Sequence, residues 1–404
     1  MHDAFIRLVA KSLRNERFAL VDLGCSGGIE PIWRLFDDRF SAVGFDASVS
    51  ECRRLAAEET SPNVHYVPGF VAIPPDHPFA KRAAGIPVHQ DNLFLRTSAA
   101  WSLELRAKRL AAASDREKMQ HNMWGDTELA DPDRPVFVPE KLKELGFDSV
   151  DFLKIDIDGP DFYVLNSFDG LFGKLGLLGV RLEVCMFGGT GETINTFHNT
   201  DRFMRQQGYS LVRLDNRSYA MRGLPSRFAI TMPAQSVSGR IFQAEAFYAR
   251  DLAAVEMKEL AASVSTEKLA KLAAIFSAWE QPDGAAELLL TYRDRFSFLF
   301  DVDEALDMLA AQTQWADVGE KDEVEILSYR DHMALFATDP PEFYPPPNPP
   351  PPPKPTLRER IDAAWMAWSD WYYVEKIKQN RKRWMMLDEK RKARAAREAS
   401  SKPD

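Results

Sequence analysis

Two carboxylates, Asp156 and Asp158, close the apolar run Val150–Ile157 and stand directly before Gly159-Pro160. A short apolar run bounded by a turn signal predicts a buried strand. Side chains two residues apart share one face if the strand persists that far. Adjacent carboxylates push one pKa upward, and such a group can take a proton from a poor nucleophile, a hydroxyl for instance, near neutral pH. Asp158 is the first candidate for that base and Asp156 the second. Two other readings stay open. Asp156 caps the turn through backbone amides while Asp158 starts the next helix, or the pair holds a divalent cation through its oxygens. Glu183 ends the next apolar run, Leu177–Val184, where it either orients a substrate or pairs with Lys154 or Arg181. His198, in Thr196-Phe-His-Asn-Thr200, is the best-placed histidine base, against the plainer reading of a satisfied loop histidine.

A second stretch, Ala19-Leu-Val-Asp-Leu-Gly-Cys-Ser-Gly-Gly-Ile29, could cradle a ligand. It reads as a buried strand, a glycine-rich turn and then a helix over Ile29–Phe36. Glycine lets backbone approach a ligand closely and adopt dihedrals closed to other residues. A dinucleotide site would need G-x-G-x-x-G, but Ser26 stands at the second glycine and Ile29 at the third. No Gly-Lys-Ser/Thr follows, so a phosphate loop is excluded as well. Ala42-Val-Gly-Phe-Asp46 then supplies an acidic residue at the end of the next strand, either a ribose acceptor or a strand-end turn former. The order Asp22, Gly24, Gly27, Gly28 resembles the first motif of S-adenosylmethionine (SAM) methyltransferases. That resemblance implies that Asp22 and the turn from Gly24 through Cys25, Ser26 and Gly27 to Gly28 meet the amino acid end of the cofactor. It also gives Asp46 the ribose hydroxyls.

The segment Asp151-Phe-Leu-Lys-Ile-Asp-Ile-Asp-Gly-Pro-Asp-Phe-Tyr-Val-Leu165 resembles the FkbM family of SAM-dependent methyltransferases. Lys154, Ile155, Asp156 and Gly159 match its Lys-Ile-Asp-x-Glu-Gly-x-Glu motif. Asp158 and Asp161 stand where the family has glutamates. Asp46 likewise replaces a glutamate, and Cys25-Ser26 replaces Ala-Asn. The helix Val138-Pro-Glu-Lys-Leu142 and Arg181-Leu-Glu183-Val are similar to family segments too, and the resemblance spans residues 15–235. It implies SAM as cofactor and a hydroxyl of a sugar, glycan or secondary metabolite as acceptor. The alternative is a non-catalytic, methyltransferase-like scaffold that binds partners.

These residues need a sheet behind them. Apolar runs at Ala19–Gly24, Ser41–Asp46, Val64–Phe70, Val150–Ile157, Leu177–Val184, Ser210–Leu214 and Phe228–Met232 alternate with helical segments. The pattern predicts a doubly wound, seven-stranded, Rossmann-like α/β sheet within residues 1–240, followed by a helical appendage and a C-terminal helical tail. Residues 73–135 form a long insertion, a lid or substrate wall, in which His77, His89 and His121 lack ligand spacing. The appendage covers 241–337, with an αα-hairpin from Leu269–Trp279 and Ala285–Leu290. A proline-rich linker, 338–355, leads to a basic amphipathic helix, 356–404, suited to a peripheral membrane or protein contact. At 45% hydrophobic and 27% charged the composition is that of an ordinary soluble protein. The net charge of −9 argues against a general nucleic-acid binder. Cys25, Cys52 and Cys185 include no close pair in sequence, which gives neither a zinc site nor a disulfide framework and fits a cytoplasmic protein. Membrane spans and a signal peptide are not expected.

Overall fold

The structure, a computed structural model, describes residues 2–85, 94–101, 128–230, 235–318 and 326–338. The strands are β1 Phe18–Leu23, β2 Phe40–Asp46, β3 Val64–Pro68, β4 Phe152–Ile155, β5 Gly179–Cys185, β6 Ser210–Tyr219, β7 Phe228–Ile230, β8 Gln235–Ser236 and β9 Arg240–Ala249. The helices are α1 His2–Ser12, α2 Val49–Glu58, α3 Pro78–Ala83, α4 Val138–Glu144, α5 Asp161–Asn166, α6 Phe172–Leu175 and α7 Phe197–Gln206. They continue with α8 Lys258–Ser263, α9 Thr266–Ala278, α10 Pro282–Thr291, α11 Arg293–Phe296, α12 Val302–Val318 and α13 Tyr329–Thr338.

Seven strands form one sheet in the order β3-β2-β1-β4-β5-β9-β6. β1 to β5 run parallel, and β9 runs antiparallel to both β5 and β6. All six residues of β1 are buried, as a central parallel strand covered on both faces requires. The strand order reverses between β1 and β4. Ligands bind beyond the carboxyl ends of the strands at such a switch point.

The two faces carry separate cores. Phe18, Leu20, Phe152 and Phe247 belong to one, with Trp33 and helices α1, α9, α10 and α12. Val21, Val43, Leu153 and Ala246 belong to the other, with α3, α4, α5 and α7. On the first face Trp33, Phe152, Phe247 and Trp279 pack ring against ring, with centroids 4.9–6.3 Å apart in the pairs they form.

Three sequence expectations change. The seventh strand is β9, whereas Phe228–Ile230 pairs with β8 in a separate two-stranded ribbon. The Ala- and Glu-containing centre of β9, Gln243-Ala-Glu-Ala246, has helix-forming residues that hide a strand; pairing on both edges overrides that propensity. A boundary at residue 240 would therefore cut the sheet, and the unit that holds it runs from Met1 to Leu335. The helices after β9 pack against the sheet, and α9 is buried from Glu267 to Ser277. Finally, the helix expected over Ile29–Phe36 is a 3₁₀ helix, Pro31–Arg39, with Asp37 at φ 53°.

One buried carboxylate ties the first helical layer to the sheet. Asp151, fully buried, accepts from Lys268 Nζ at 2.6 Å, from Lys271 Nζ at 3.0 Å and from the Ala19 amide at 2.8 Å. Residues 336–404 make a second unit, of which Phe336–Thr338, the end of α13, is described. The proline-rich linker and the basic helix lie outside the described residues, as do most of the insertion, His89 and His121. His77 lies within them and caps α3, its Nδ1 accepting from the Phe79 amide at 3.2 Å. Among the described residues no helix is long and apolar enough to cross a membrane.

Candidate active site

β1 runs straight into the glycine turn. Gly24, Gly27 and Gly28 have φ of 87°, 82° and 95°, in the left-handed region. A Cβ on Gly24 would lie 1.8 Å from the carbonyl oxygen of Asp156, so only glycine lets the end of β1 meet the end of β4. The Gly24 and Cys25 amides both donate to the Phe45 carbonyl, at 2.9 and 3.1 Å, which pins the turn to β2. Gly28 donates to the Cys25 carbonyl at 2.8 Å.

A residue the sequence reading missed also holds this turn. Glu51 Oε1 accepts from the Gly27 amide at 3.0 Å. Ser48-Val-Ser-Glu51 has the spacing of a capping box, and Ser48 Oγ accepts from the Glu51 amide at 3.1 Å. The second half of the box does not form, because the Ser48 amide donates to Asp46 Oδ1 at 2.8 Å instead. Glu51 is thereby free to reach the turn. Arg54 grips it at 2.8 and 2.6 Å, and these bonds hold its carboxyl below the usual range.

The turn opens on a cleft of about 870 Å³ at the carboxyl ends of β1, β2 and β4. Gly24, Ser26, Gly27, Asp46, Asp156 and Asp158 line it together. Phe45, Phe70, Val71, Leu129, Ile157 and Pro160 supply an apolar wall. Sequence spacing gave no sign of Phe70, Val71 or Leu129, which the bridges Val71–Val136 and Ser48–Leu129 bring to the rim.

Five expected site residues do not line this cleft. Asp22 is buried and paired with Lys154 Nζ at 3.0 Å; Lys154 also donates to the Gly24 carbonyl at 3.3 Å. Burial pushes the Asp22 pKa up, against the pull of Lys154. Cys25 is buried too and lies beside Cys52, whose thiol donates to the Asp46 carbonyl at 3.8 Å, so two cysteines distant in sequence form a close pair. The neighbouring Cys52 thiol and burial raise the Cys25 pKa, while Cys25 lowers that of Cys52. Gly28 packs toward Leu55. His198 lies exposed in the first turn of α7, turned to solvent by a helix where a loop was expected.

Glu183 is buried and pairs with neither Lys154 nor Arg181. Arg217 Nη1 at 2.8 Å and Gln243 Nε2 at 2.7 Å hold it. Arg181 goes to Glu30 at 2.6 Å and to Glu245, and lies over the Trp279 ring at 4.3 Å. Burial, with Asp161, Asp156 and Asp158 nearby, pushes the Glu183 pKa up to about 8 despite Arg217, which also binds Glu245. A carboxyl raised from 4.5 to about 8 binds more protons folded than unfolded across that window. Stability therefore falls as pH rises through it, by up to about 1.4 kcal/mol per pH unit. Glu183→Gln removes this term. Between pH 5 and pH 9 its urea midpoint should climb relative to wild type; an offset independent of pH would show that Glu183 titrates in its ordinary range.

The two candidate carboxylates do not share a strand face, because β4 ends at Ile155. Asp156 begins a turn and Asp158 sits at φ 55°, a left-handed conformation that aspartate tolerates better than most residues. Asp156 is half-buried, and burial leads the causes that raise its pKa; Glu245 and Asp158 add to it while Lys154 and Arg217 oppose it. The turn is capped by Asp161 rather than by Asp156. Asp161 accepts from the amides of Ile157 at 3.1 Å and Gly159 at 2.9 Å, and burial pushes its pKa up to about 6. Asn195 Nδ2 donates to the Gly159 carbonyl at 2.5 Å from the loop after β5. Among the described residues no group of three or more His, Cys, Asp or Glu is arranged to hold a metal ion.

A parallel sheet in this order, an antiparallel pair at its far edge, and a glycine turn beside an acidic strand end define a Rossmann-like α/β architecture. Within that class, residues 132–211 match the methyltransferase FkbM domain, from α4 through β4 and β5 to the start of β6. Three solved structures are similar at low score. A SAM-dependent methyltransferase from Mesorhizobium loti is 10% identical over 60% of this chain and 95% of its own, with a TM-score of 0.28. One from Listeria monocytogenes is 11% identical over 61% and 97%, also at 0.28. The methyltransferase in complex with the Trm112 activator of Haloferax volcanii is 12% identical over 61% and 88%, at 0.27. No curated protein matches the chain.

Proposed function

We propose that the chain is a SAM-dependent O-methyltransferase that acts on a hydroxyl of a sugar, glycan or secondary metabolite. One observation carries the reading: a single cleft gathers a glycine turn, the acidic end of β2 and two carboxylates beyond β4. The residues fit the cofactor. The exposed face of Gly27 has nothing within 4 Å of a Cβ position, which leaves room for a ligand against the turn. Ser26 and Gly27 would face its amino acid end, Asp46 would accept from the ribose hydroxyls, and the apolar wall would cover the base. Asp22 would act indirectly, through Lys154 and the Gly24 carbonyl. Bound there, SAM supplies an activated methyl group.

The chain's own task is then to hold the acceptor oxygen in line and to take its proton. Of the two candidates, the half-buried Asp156 has the raised pKa that suits a base near neutral pH. Asp158, exposed on the rim, would orient the acceptor or share the proton. Free cysteines and the expected basic C-terminal helix support a cytoplasmic protein with a peripheral contact to a membrane surface or a protein. Methyl-labelled SAM incubated with the full chain and an extract of surface glycans and metabolites from a deletion strain tests the reading. The expected result is one class of labelled hydroxyl. Label found only on protein or nucleic acid would refute the proposed acceptor class.

A further inference from the structure

The rim opposite the cleft, at the amino ends of β1, β4 and β5, holds a second cavity of about 460 Å³. Exposed Arg17 and Lys174 line it with buried Lys268 and Lys271, beside Ser149 and Glu16. Lys271 donates to Asp151 at 3.0 Å and to the Arg17 carbonyl at 3.0 Å, and forms an ion pair with Glu16 at 2.7 Å. Lys268 gives one to Asp151 at 2.6 Å and one to Ser149 Oγ at 3.2 Å. Its third donor has no partner among the described residues, although the side chain is only 10% exposed. An ammonium carries three donors and no acceptor, so this one calls for an anion or another oxygen. Burial already lowers the Lys268 pKa, with the neighbouring Lys271 adding to it, so the ammonium is incompletely compensated.

Arg17 and Lys174 form no ion pair among the described residues. Four cations thus stand against three carboxylates, Glu16, Asp151 and the nearby Glu267, which takes the backbone amides of Arg14, Asn15 and Glu16 and keeps its charge; one positive charge is left in excess. Gly176, at φ 66°, passes close over Lys268; a Cβ there would come within 3.1 Å of the ammonium nitrogen.

We propose that this cavity binds a small phosphate-bearing anion, inorganic phosphate or a phosphate monoester, distinct from any ligand of the cleft. An anionic phosphate meets the positive excess, and its several acceptor oxygens can take a guanidinium fork and two ammonium donors together. Its occupancy would reinforce the Asp151 clamp that joins α9 to β1 and β4.

The test uses the full-length chain and inorganic phosphate, with sodium chloride at matched ionic strength as reference. Phosphate should raise the melting temperature beyond the chloride reference and titrate to one saturable site by calorimetry. The double variant Arg17→Gln/Lys174→Gln changes two exposed side chains that form no ion pair among the described residues, so it should melt like the wild type without phosphate. Its phosphate affinity should fall by about tenfold or more. General stabilisation by phosphate as a salt would act equally on both proteins. Equal responses of the two, or a wild type that responds no more to phosphate than to chloride, would overturn the proposal.

Discussion

Replacing Asp156 by asparagine is expected to lower methyl transfer by about 10²–10⁴-fold with little change in SAM affinity. The amide keeps the shape of the side chain and cannot accept the acceptor's proton. The loss should appear in turnover rather than in cofactor binding, because Asp156 stands beyond β4 while Asp46 and Ser26 line the part of the cleft beside β2 and the turn. Asp158→Asn in the same assay should cost less, since that side chain is exposed and free to be replaced by solvent. The reverse order would return the base to Asp158. Wild-type rates in both variants would make the turn purely structural, with Asp161 and Asn195 holding a fold feature rather than a catalytic one.

The largest effect on stability is expected at Asp151→Ala. Two ammonium groups now share this buried carboxylate, and the substitution would leave both facing each other with only Glu16, Ser149 and a backbone carbonyl as partners. Removing one member of a buried ion pair costs about 3–5 kcal/mol. Urea unfolding should show a loss of that size, together with weaker protection of α9 amides in hydrogen exchange. A loss below about 1 kcal/mol, the range of an exposed pair, would mean that water already reaches the clamp.

How far these features could be read from the sequence depends on the range of the interactions that make them. β1, β2 and the glycine turn were legible because each is local: a continuous apolar run, an acidic end, and glycines where the backbone turns. The αα-hairpin was equally legible, matched by α9 and α10, because apolar periodicity stops at Pro282. α9 is buried on every side, and its lysines are tolerated only because a carboxylate distant in sequence meets them. β9 was hidden by residues that favour helix in isolation. In the site, Asp46, Ser26, Gly24 and Gly27 line the cleft. Asp22, Cys25, Glu183 and His198 do not, because Lys154, Cys52, Arg217 and the start of α7 fix them elsewhere. Glu51 had a visible signal, the capping-box spacing from Ser48, but its release to the turn depends on Asp46 taking the Ser48 amide. No single-residue pattern encodes that exchange.

Calorimetric titration of SAM into the wild type and Asp46→Ala tests the central claim most directly. The cleft as built predicts one SAM per chain, with affinity weakened in the variant by about 1–3 kcal/mol, the size of a lost hydrogen bond to a charged acceptor. Absence of SAM binding by the wild type, or an unchanged affinity in Asp46→Ala, would contradict it.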